Sequence, residues 1–254
     1  MPDIALVLLA GAVAGTMNAI GGGGTFVALP ALVAAGLPPV AANAASTVAL
    51  APGAVASAWV CRRELAPVGE TSVSALTAIS VTGGALGAVL LLVLPSASFG
   101  AAVPWLLAFA TLVLAFGRRV SRALSTATGR PAEARMSSRA VLVAQFLLAV
   151  YGGYFGGAIG IMLLAVWSIG LGLDTAASNP MRIAQVSAVN LSATALFLIA
   201  SDALRTPLVV ATMLAGGVAG GIAGAGHAPF GSVRDVSLSV TDIGPGRPVR
   251  ARRG

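Results

Sequence analysis

Long apolar segments alternate with short polar ones along most of the 254 residues of this chain. An α-helix needs about 20 apolar residues to cross the roughly 30 Å of hydrocarbon in a bilayer. Three segments have close to that length by themselves: Ala41–Val60, Val73–Leu94 and Ile183–Ala200. Two shorter ones, Ala101–Phe116 and Pro207–Ile222, reach it if their flanks extend them. The pattern predicts an all-α protein with several membrane-spanning helices.

Two further apolar segments are too long for a single crossing, and each contains a cluster of glycines. The first, Ile4–Leu37, is interrupted by Gly21–Gly24, and the second, Ala140–Leu173, by the glycines within Gly156–Gly160. A helix rises about 1.5 Å per residue, so either segment would extend well beyond the bilayer as one straight helix. We expect each to form two helical pieces joined by a glycine break within or near the membrane.

The two interrupted segments are related by a displacement of 136 residues, which places Gly21 on Gly157 and Gly24 on Gly160. The same displacement places Asn43, near the start of the next apolar segment, on Asn179. We interpret the chain as two repeats of one broken hairpin with its following spans. The expected division is residues 1–117 for the first membrane repeat, 118–139 for an arginine-rich loop, 140–224 for the second membrane repeat and 225–254 for a disordered polar tail.

Charge predicts the orientation of these repeats. The segment Gly117–Arg139 carries six arginines and one acid, Glu133. Arginine is enriched in cytoplasmic loops, so this segment is expected inside the cell, and Arg62 and Arg63, two crossings earlier, agree with that. If each broken hairpin returns to its starting side, the repeats have inverted topology and the tail is also cytoplasmic. The expected fold is a polytopic membrane helix bundle of two inverted repeats with about seven to nine membrane helices.

Composition excludes several classes of protein. Apolar residues make up 57% of the chain and charged residues 9%, against roughly 45–50% and about 25% in soluble domains. There is no lysine, which excludes a Walker A phosphate loop. The arginines lie beside apolar segments, which favours membrane orientation over nucleic-acid binding. With one cysteine, Cys61, and one histidine, His227, we expect no metal site, no cofactor and no enzymatic activity.

The glycine breaks are the first candidate for chemistry. Irregular backbone inside a membrane persists where it is buried in protein or lines a wet cavity, and paired breaks in two repeats are typical of a transporter's binding site. Helices that begin after Gly24 and Gly160 would present unpaired amides and a partial positive charge to an anion, and Thr25 could add a hydroxyl. The alternative is close helix packing, which we favour for the isolated pairs Gly83–Gly87 and Gly216–Gly220.

Polar residues near the starts of two equivalent spans are the second candidate. Asn43, Ser46 and Thr47 lie at helical spacing in the first repeat. In the second repeat, Asn179 and Arg182 occupy the corresponding span, followed by Gln185 and Asn190. Arg182 could pair with an anionic substrate, or it could extend to the cytoplasmic interface. Either asparagine could instead be a helix N-cap.

These residues resemble a known family. Asn18-Ala-Ile-Gly-Gly-Gly-Gly-Thr-Phe-Val-Ala-Leu-Pro-Ala-Leu, Gly36-Leu-Pro-Pro and Ala41-Ala-Asn-Ala-Ala-Ser-Thr are similar to the first repeat of the TauE/SafE family of membrane permeases. Gly152-Gly-Tyr-Phe-Gly-Gly-Ala-Ile-Gly-Ile, followed by Asn179, is similar to its second repeat. The resemblance covers about residues 4–224 and implies a multi-pass cell-membrane protein associated with export of sulfite and organosulfonates. It also implies that Gly21–Gly24, Pro30, Ser46, Thr47, Gly157, Gly160 and Asn179 belong to the substrate region.

One departure from the family pattern concerns the end of the chain. Family members usually continue past the helix around Gly216–Gly224 into a last membrane helix, where this sequence has a polar segment from Ala225 onwards. The second repeat is therefore expected to lack its last helix, which places transport activity in doubt.

The leading hypothesis is a secondary permease that exports small anions such as sulfite or organosulfonates. No acid lies well inside any predicted span, which argues weakly against proton symport. The expected partners are the lipid bilayer and a small anion, and a homo-oligomer is left open. The alternatives are a non-transporting membrane scaffold or assembly protein and a permease for another solute, uptake included, with an intramembrane enzyme third. The candidate substrate-binding residues are Gly21, Gly22, Gly23, Gly24, Thr25, Asn43, Ser46, Thr47, Gly157, Gly160, Asn179 and Arg182.

Overall fold

The computed structural model describes residues 3–20, 23–106, 108, 111–112, 136–174, 177–201 and 206–225, and its regular elements there are all helices. In chain order they are α1 Ile4–Ile20, α2 Thr25–Ala34, α3 Pro39–Cys61, α4 Val73–Val93, α5 at residues 96–106, α6 Ser138–Phe155, α7 Ile159–Leu171, α8 Asn179–Ala200 and α9 Pro207–Ala225. By length and apolar composition α3, α4, α6 and α8 are each able to cross a membrane, while α1, α2, α7 and α9 contain shorter apolar stretches.

The predicted elements are present, with small shifts in their bounds. Both interrupted segments form two helices joined by a break, as the glycines predicted. The helix predicted over Ala101–Phe116 begins earlier, at residue 96, and its end lies outside the described residues. The second repeat begins with α6 at Ser138, because the Ser137 side chain caps that helix by accepting from the Ala140 amide. The arginine-rich segment 118–135 and the predicted tail beyond Ala225 also lie outside the described residues.

The fourth helix of each repeat packs on the first helix of the other repeat. The 136-residue displacement relates α1 to α6, α2 to α7, α3 to α8 and α4 to α9. The two most extensive helix pairings are α1 with α9 and α4 with α6, which are equivalent under that displacement. Each repeat therefore contributes one helix to the other half of the bundle, so the halves are interlocked.

Equivalent helices of the two repeats run in opposite directions. The Ser187 hydroxyl in α8 donates to the Ala54 carbonyl of α3 over 2.7 Å. Towards the start of α8, Arg182 lies within electrostatic range of Cys61, at the end of α3. Towards the end of α8, Asn190 lines the same cavity as Leu50, which is nearer the start of α3. Residue numbers thus fall along α3 as they rise along α8, so these equivalent helices are antiparallel. This is the relation that inverted repeats require.

Glycines allow the helices of the interlocked pairs to approach closely. A methyl group on Gly83 or Gly87 of α4 would collide with α6, and one on Gly216 or Gly220 of α9 would collide with the backbone of α1. Close backbone approach through small residues is the usual means of association between helices in membranes. The packing role predicted for these two glycine pairs is confirmed.

Hydrogen bonds add to the contact of α4 with α6 and α8. The Ser80 hydroxyl donates to Gln185 Oε1 and accepts from Gln145 Nε2, both over 2.8 Å. Gln185 Nε2 also donates to Thr77 Oγ1 over 3.2 Å. Ser80, Gln145 and Gln185 are almost completely buried, so the bonds satisfy polar groups that would otherwise be costly inside a membrane.

The outer surface of the bundle is apolar. Ile199 is 84% exposed, Trp105 78% and Ile222 72%. A soluble protein rarely leaves so many large apolar side chains in water, whereas a lipid environment solvates them. The structure is therefore that of a polytopic membrane helix bundle.

We predict that Gly153→Ala destabilises the bundle by about 1–3 kcal/mol, because the added methyl group on α6 would collide with the Gly84 backbone of α4. The matched control is Gly53→Ala in α3, where nothing lies within 4 Å of the added methyl group. There the change should be neutral or stabilise by up to about 1 kcal/mol, since alanine favours helix over glycine. Thermal unfolding of the purified proteins in detergent measures both, and equal melting temperatures would contradict the packing described.

Candidate functional site

The two glycine breaks meet at one cavity between the repeats. Its volume is about 20 Å³, measured as the space that the centre of a water molecule can occupy. That space holds one or two water molecules. Residues of both repeats line it: Asn18, Gly23, Thr25, Thr47 and Leu50 from the first, and Gly156, Ala158, Ile159, Gly160, Arg182, Val186 and Asn190 from the second. The two breaks, although 136 residues apart in the chain, thus lie at the same cavity.

Left-handed backbone conformations produce both breaks. Gly23 has a φ angle of 96° and Gly156 one of 80°, values that glycine adopts without steric cost. Ala158, with a φ of 59°, is in the same region and is the one residue other than glycine with a positive φ in the described part of the chain. These residues turn the chain so that α2 and α7 begin at the cavity. The first residues of both helices, Thr25 in α2 and Ile159 and Gly160 in α7, line the cavity. The amides that follow them donate to carbonyls of the breaks: Phe26 to Gly23 over 3.0 Å and Ile161 to Ala158 over 3.1 Å.

Arg182 brings a buried positive charge to this cavity. Its side chain is 4% exposed, and its Nε donates to Asn179 Oδ1 over 2.7 Å. Its Nη1 lies against Gly160, where an added methyl group would come within 2.8 Å of it. The guanidinium is therefore buried within the bundle and does not extend over its surface.

The other polar side chains at the cavity are neutral. Thr25 is 8% exposed, Asn18 and Asn190 are partly buried, and no hydrogen bond forms between these three side chains and the rest of the described chain. Thr47 donates its hydroxyl to the Asn43 carbonyl over 3.0 Å. No acid stands among the described residues that line the cavity. The N-termini of α2 and α7, which begin at the cavity, add partial positive charge, so the arrangement suits an anion.

Comparison with known proteins identifies the family of the chain. The family model described as "Sulfite exporter TauE/SafE" matches residues 7–236. The chain belongs to this family. Neither the search of curated proteins nor that of solved structures found a match to the chain. Membership of the TauE/SafE family, a family of membrane transporters, agrees with the apolar surface of the bundle.

In this TauE/SafE protein the structure divides the predicted site residues into groups. Five of them line the cavity: Gly23, Thr25, Thr47, Gly160 and Arg182. Four do not line it, namely Gly24, Asn43, Ser46 and Gly157, and Asn179 contacts it through Arg182. Gly21 and Gly22 lie outside the described residues.

The residues away from the cavity have identifiable packing roles. Gly24 packs against the backbone of Ala14 in α1, and Gly157 faces the rings of Phe155 and Phe26. Asn43 Nδ2 donates to the Tyr154 carbonyl, over 3.0 Å, just before the second break. Because Asn43 is fully buried, this bond ties the start of α3 to the end of α6.

Two local predictions were wrong. Neither asparagine is an N-cap: the capping positions are Pro38 and Ser178, so Asn43 lies inside α3 and Asn179 is the first residue of α8. Helix α7 begins at Ile159 and not after Gly160. The left-handed Ala158 ends the second break earlier than the glycine spacing suggests, because an alanine can take this conformation when its surroundings hold it there.

Several lining residues were not predicted as site residues. Asn18 belongs to the quoted motif and Asn190 to the polar stripe of α8, so a signal for both was present. Leu50, Val186 and Ile159 form the apolar part of the wall, and their sequence context does not distinguish them from other aliphatic residues of the spans. Their position follows from the tertiary packing of α3, α7 and α8.

Substitutions at the second break test its backbone geometry. Gly156→Ala should lower the free energy of unfolding by about 1–2 kcal/mol, because a side chain is unfavourable at a φ of 80°. Ala158→Gly should not destabilise, since glycine relieves the same cost at position 158 while increasing the entropy of the unfolded chain. Thermal unfolding in detergent measures both, and a destabilising Ala158→Gly together with a neutral Gly156→Ala would contradict the assigned conformations.

Proposed function

We propose that this protein is a secondary transporter of the cell membrane that exports small oxyanions, with sulfite and organosulfonates as the substrate class. The observation that carries the proposal is the buried Arg182 at a cavity that both repeats line and to which the described residues contribute no acid. Membership of the TauE/SafE family supports the same class of substrate.

Arg182 is costly where it lies, which supports a functional role. A buried guanidinium loses its hydration, and charged residues inside membrane segments mark substrate or ion pathways. Arg182 also lies in the first turn of α8, where the helix dipole disfavours a cation. An anion in the cavity would be attracted by the guanidinium and by the N-termini of α2 and α7, which both begin there. Such a ligand would offset part of the cost of burying the charge.

The arrangement supports alternating access. In inverted-repeat transporters the substrate lies between the repeats, and rocking of one against the other opens it to either side. The cavity, with room for one or two waters, would be the closed state of such a cycle. The interior of a cell is negative, so outward movement of an anion is favoured by roughly 2.3 kcal/mol per charge per 100 mV. Export then needs no buried acid to couple it to protons.

Flux measurements test this proposal directly. Liposomes that contain the purified protein and are loaded with sodium sulfite should release sulfite faster than loaded liposomes without protein. An inside-negative potential should increase the rate of release. Arg182→Gln should reduce that flux about tenfold or more, because a change of this size corresponds to the loss of one charge-assisted hydrogen bond. Arg63→Gln, which removes an exposed arginine at the end of α3, is the matched control and should retain it. Equal flux in all three proteins would remove Arg182 from the site, and absence of flux from the wild type across sulfite and sulfonates would leave the scaffold alternative.

Gly160→Ala should reduce sulfite flux without unfolding the protein. The added methyl group would come within 2.8 Å of Arg182 Nη1, and this flexible end of the side chain moves more easily than backbone does. The guanidinium is then displaced from the break while its charge is kept. Flux in liposomes and thermal unfolding in detergent are measured together, with Gly53→Ala as the control for an added helix methyl group. Normal flux in Gly160→Ala would show that the position of the guanidinium does not matter.

A further inference from the structure

Asn179 and Arg182 form a buried pair in the first turn of α8. Asn179 is 5% exposed and Arg182 4%, and the bond between Asn179 Oδ1 and Arg182 Nε is 2.7 Å long. The guanidinium is planar, so fixing its Nε–H group also fixes the plane and direction of its two Nη groups. Gly160 lies against Nη1, so the guanidinium is in contact on two sides, with Asn179 and with Gly160, at the wall of the cavity.

The acceptor in this pair is an amide, and this choice has an electrostatic consequence. A carboxylate of nearly the same size could occupy position 179 and would accept a stronger, charge-assisted bond from Nε. It would also bring a full negative charge to the guanidinium, in surroundings where charges interact several-fold more strongly than in water. A carboxylate would therefore partly neutralise the guanidinium, whereas the amide orients it and leaves its charge available to an anion.

The equivalent asparagine of the first repeat does something different. Asn43 uses its Nδ2 group as a donor to the Tyr154 carbonyl, whereas Asn179 uses its Oδ1 atom as an acceptor. The two positions are related by the 136-residue displacement, yet the one holds backbone and the other holds a cation. The role of Asn179 is thus specific to its place beside Arg182.

We propose that Asn179 is a positioning residue that orients the Arg182 guanidinium through a neutral acceptor, and that this neutrality determines the affinity of the site for anions. The inference rests on the proposed function of the cavity, since it concerns the binding of the transported anion. Asn179 does not itself line the cavity, so its effect passes through Arg182.

Two substitutions separate this role from a structural one. Asn179→Asp keeps an acceptor and adds a negative charge, while Asn179→Ala removes the acceptor and leaves the charge of Arg182 unchanged. A purely structural role predicts that Asp is the milder change. Our inference predicts the reverse order in the half-saturating sulfite concentration: a rise of about tenfold or more for Asp, and a smaller rise for Ala. Maximal flux should change less than the half-saturating concentration in both.

The measurement is the sulfite dependence of flux in proteoliposomes, made on protein that is monodisperse in detergent. Ser72→Asp is the matched control, because Ser72 is an exposed acceptor that caps α4 and a carboxylate can replace it there. This control should transport as the wild type does. If Asn179→Asp does not fold, Asn179→Ser takes its place as the test. Serine is a small neutral acceptor, so its half-saturating sulfite concentration should lie between those of the wild type and Asn179→Ala. A value equal to that of Asn179→Ala would overturn the inference.

Failure of the inference and failure of the proposed function give different results. If Arg182→Gln loses sulfite flux but Asn179→Asp binds sulfite as well as or better than Asn179→Ala, the cavity transports anions and Asn179 acts only on stability. If Arg182→Gln transports normally, or the wild type moves no sulfite, the anion site itself is wrong, and the inference is overturned with it.

Discussion

Backbone that leaves a helix inside a bilayer must find polar partners within the protein, because hydrocarbon offers none. This requirement determines how the bundle is built around its two breaks. Each break turns the chain through left-handed residues, Gly23 in the first repeat and Gly156 and Ala158 in the second, and the helices that follow begin at one shared cavity. Glycine interfaces between α1 and α9 and between α4 and α6 each join a helix of one repeat to a helix of the other.

The two repeats share a fold but differ in the chemistry they bring to the cavity. The displacement that aligns them places Ser46 on Arg182, so the first repeat has a neutral residue away from the cavity where the second has a cation at its wall. Ser46 is fully buried and donates to the Asn43 carbonyl, over 2.9 Å, within its own helix. An anion at the cavity would therefore be held mainly by α8, even though residues of both repeats surround it. The similar backbones of the two repeats give the site its shape, and the difference between their side chains gives it a positive charge.

Much of this arrangement could be predicted from the sequence because it depends on local pattern. Apolar length indicates the spans, consecutive glycines indicate the breaks, and their common displacement indicates the repeats. Which glycines line the cavity could not be predicted, since neighbouring glycines of one break face different partners: Gly23 lies at the cavity and Gly24 lies against α1. The partner of Asn43 is 111 residues away in the chain, so its hydrogen bond depends on how α3 and α6 pack and not on any local signal. For Arg182 the sequence left two environments open, and its burial among the helices depends on tertiary packing that the sequence does not show.

The two halves of the bundle share close glycine packing but differ in their hydrogen bonds. Between α1 and α9 the Thr16 hydroxyl donates to the Gly220 carbonyl over 2.9 Å, whereas the other half has a network of buried side chains. In that half Ser80, Gln145 and Gln185 join α4, α6 and α8 through directional hydrogen bonds. The displacement relates these residues to Gly216, Leu9 and Ala49, which bring no polar side chain to the equivalent contacts of α9, α1 and α3. Hydrogen bonds between buried side chains fix rotation and register, whereas close packing of glycine surfaces fixes mainly separation. Gln185 lies one turn from Arg182 on α8, so the helix that carries the buried cation is the one whose rotation the hydrogen bonds constrain. A guanidinium that must point at a cavity of about 20 Å³ requires that constraint more than the neutral groups opposite do.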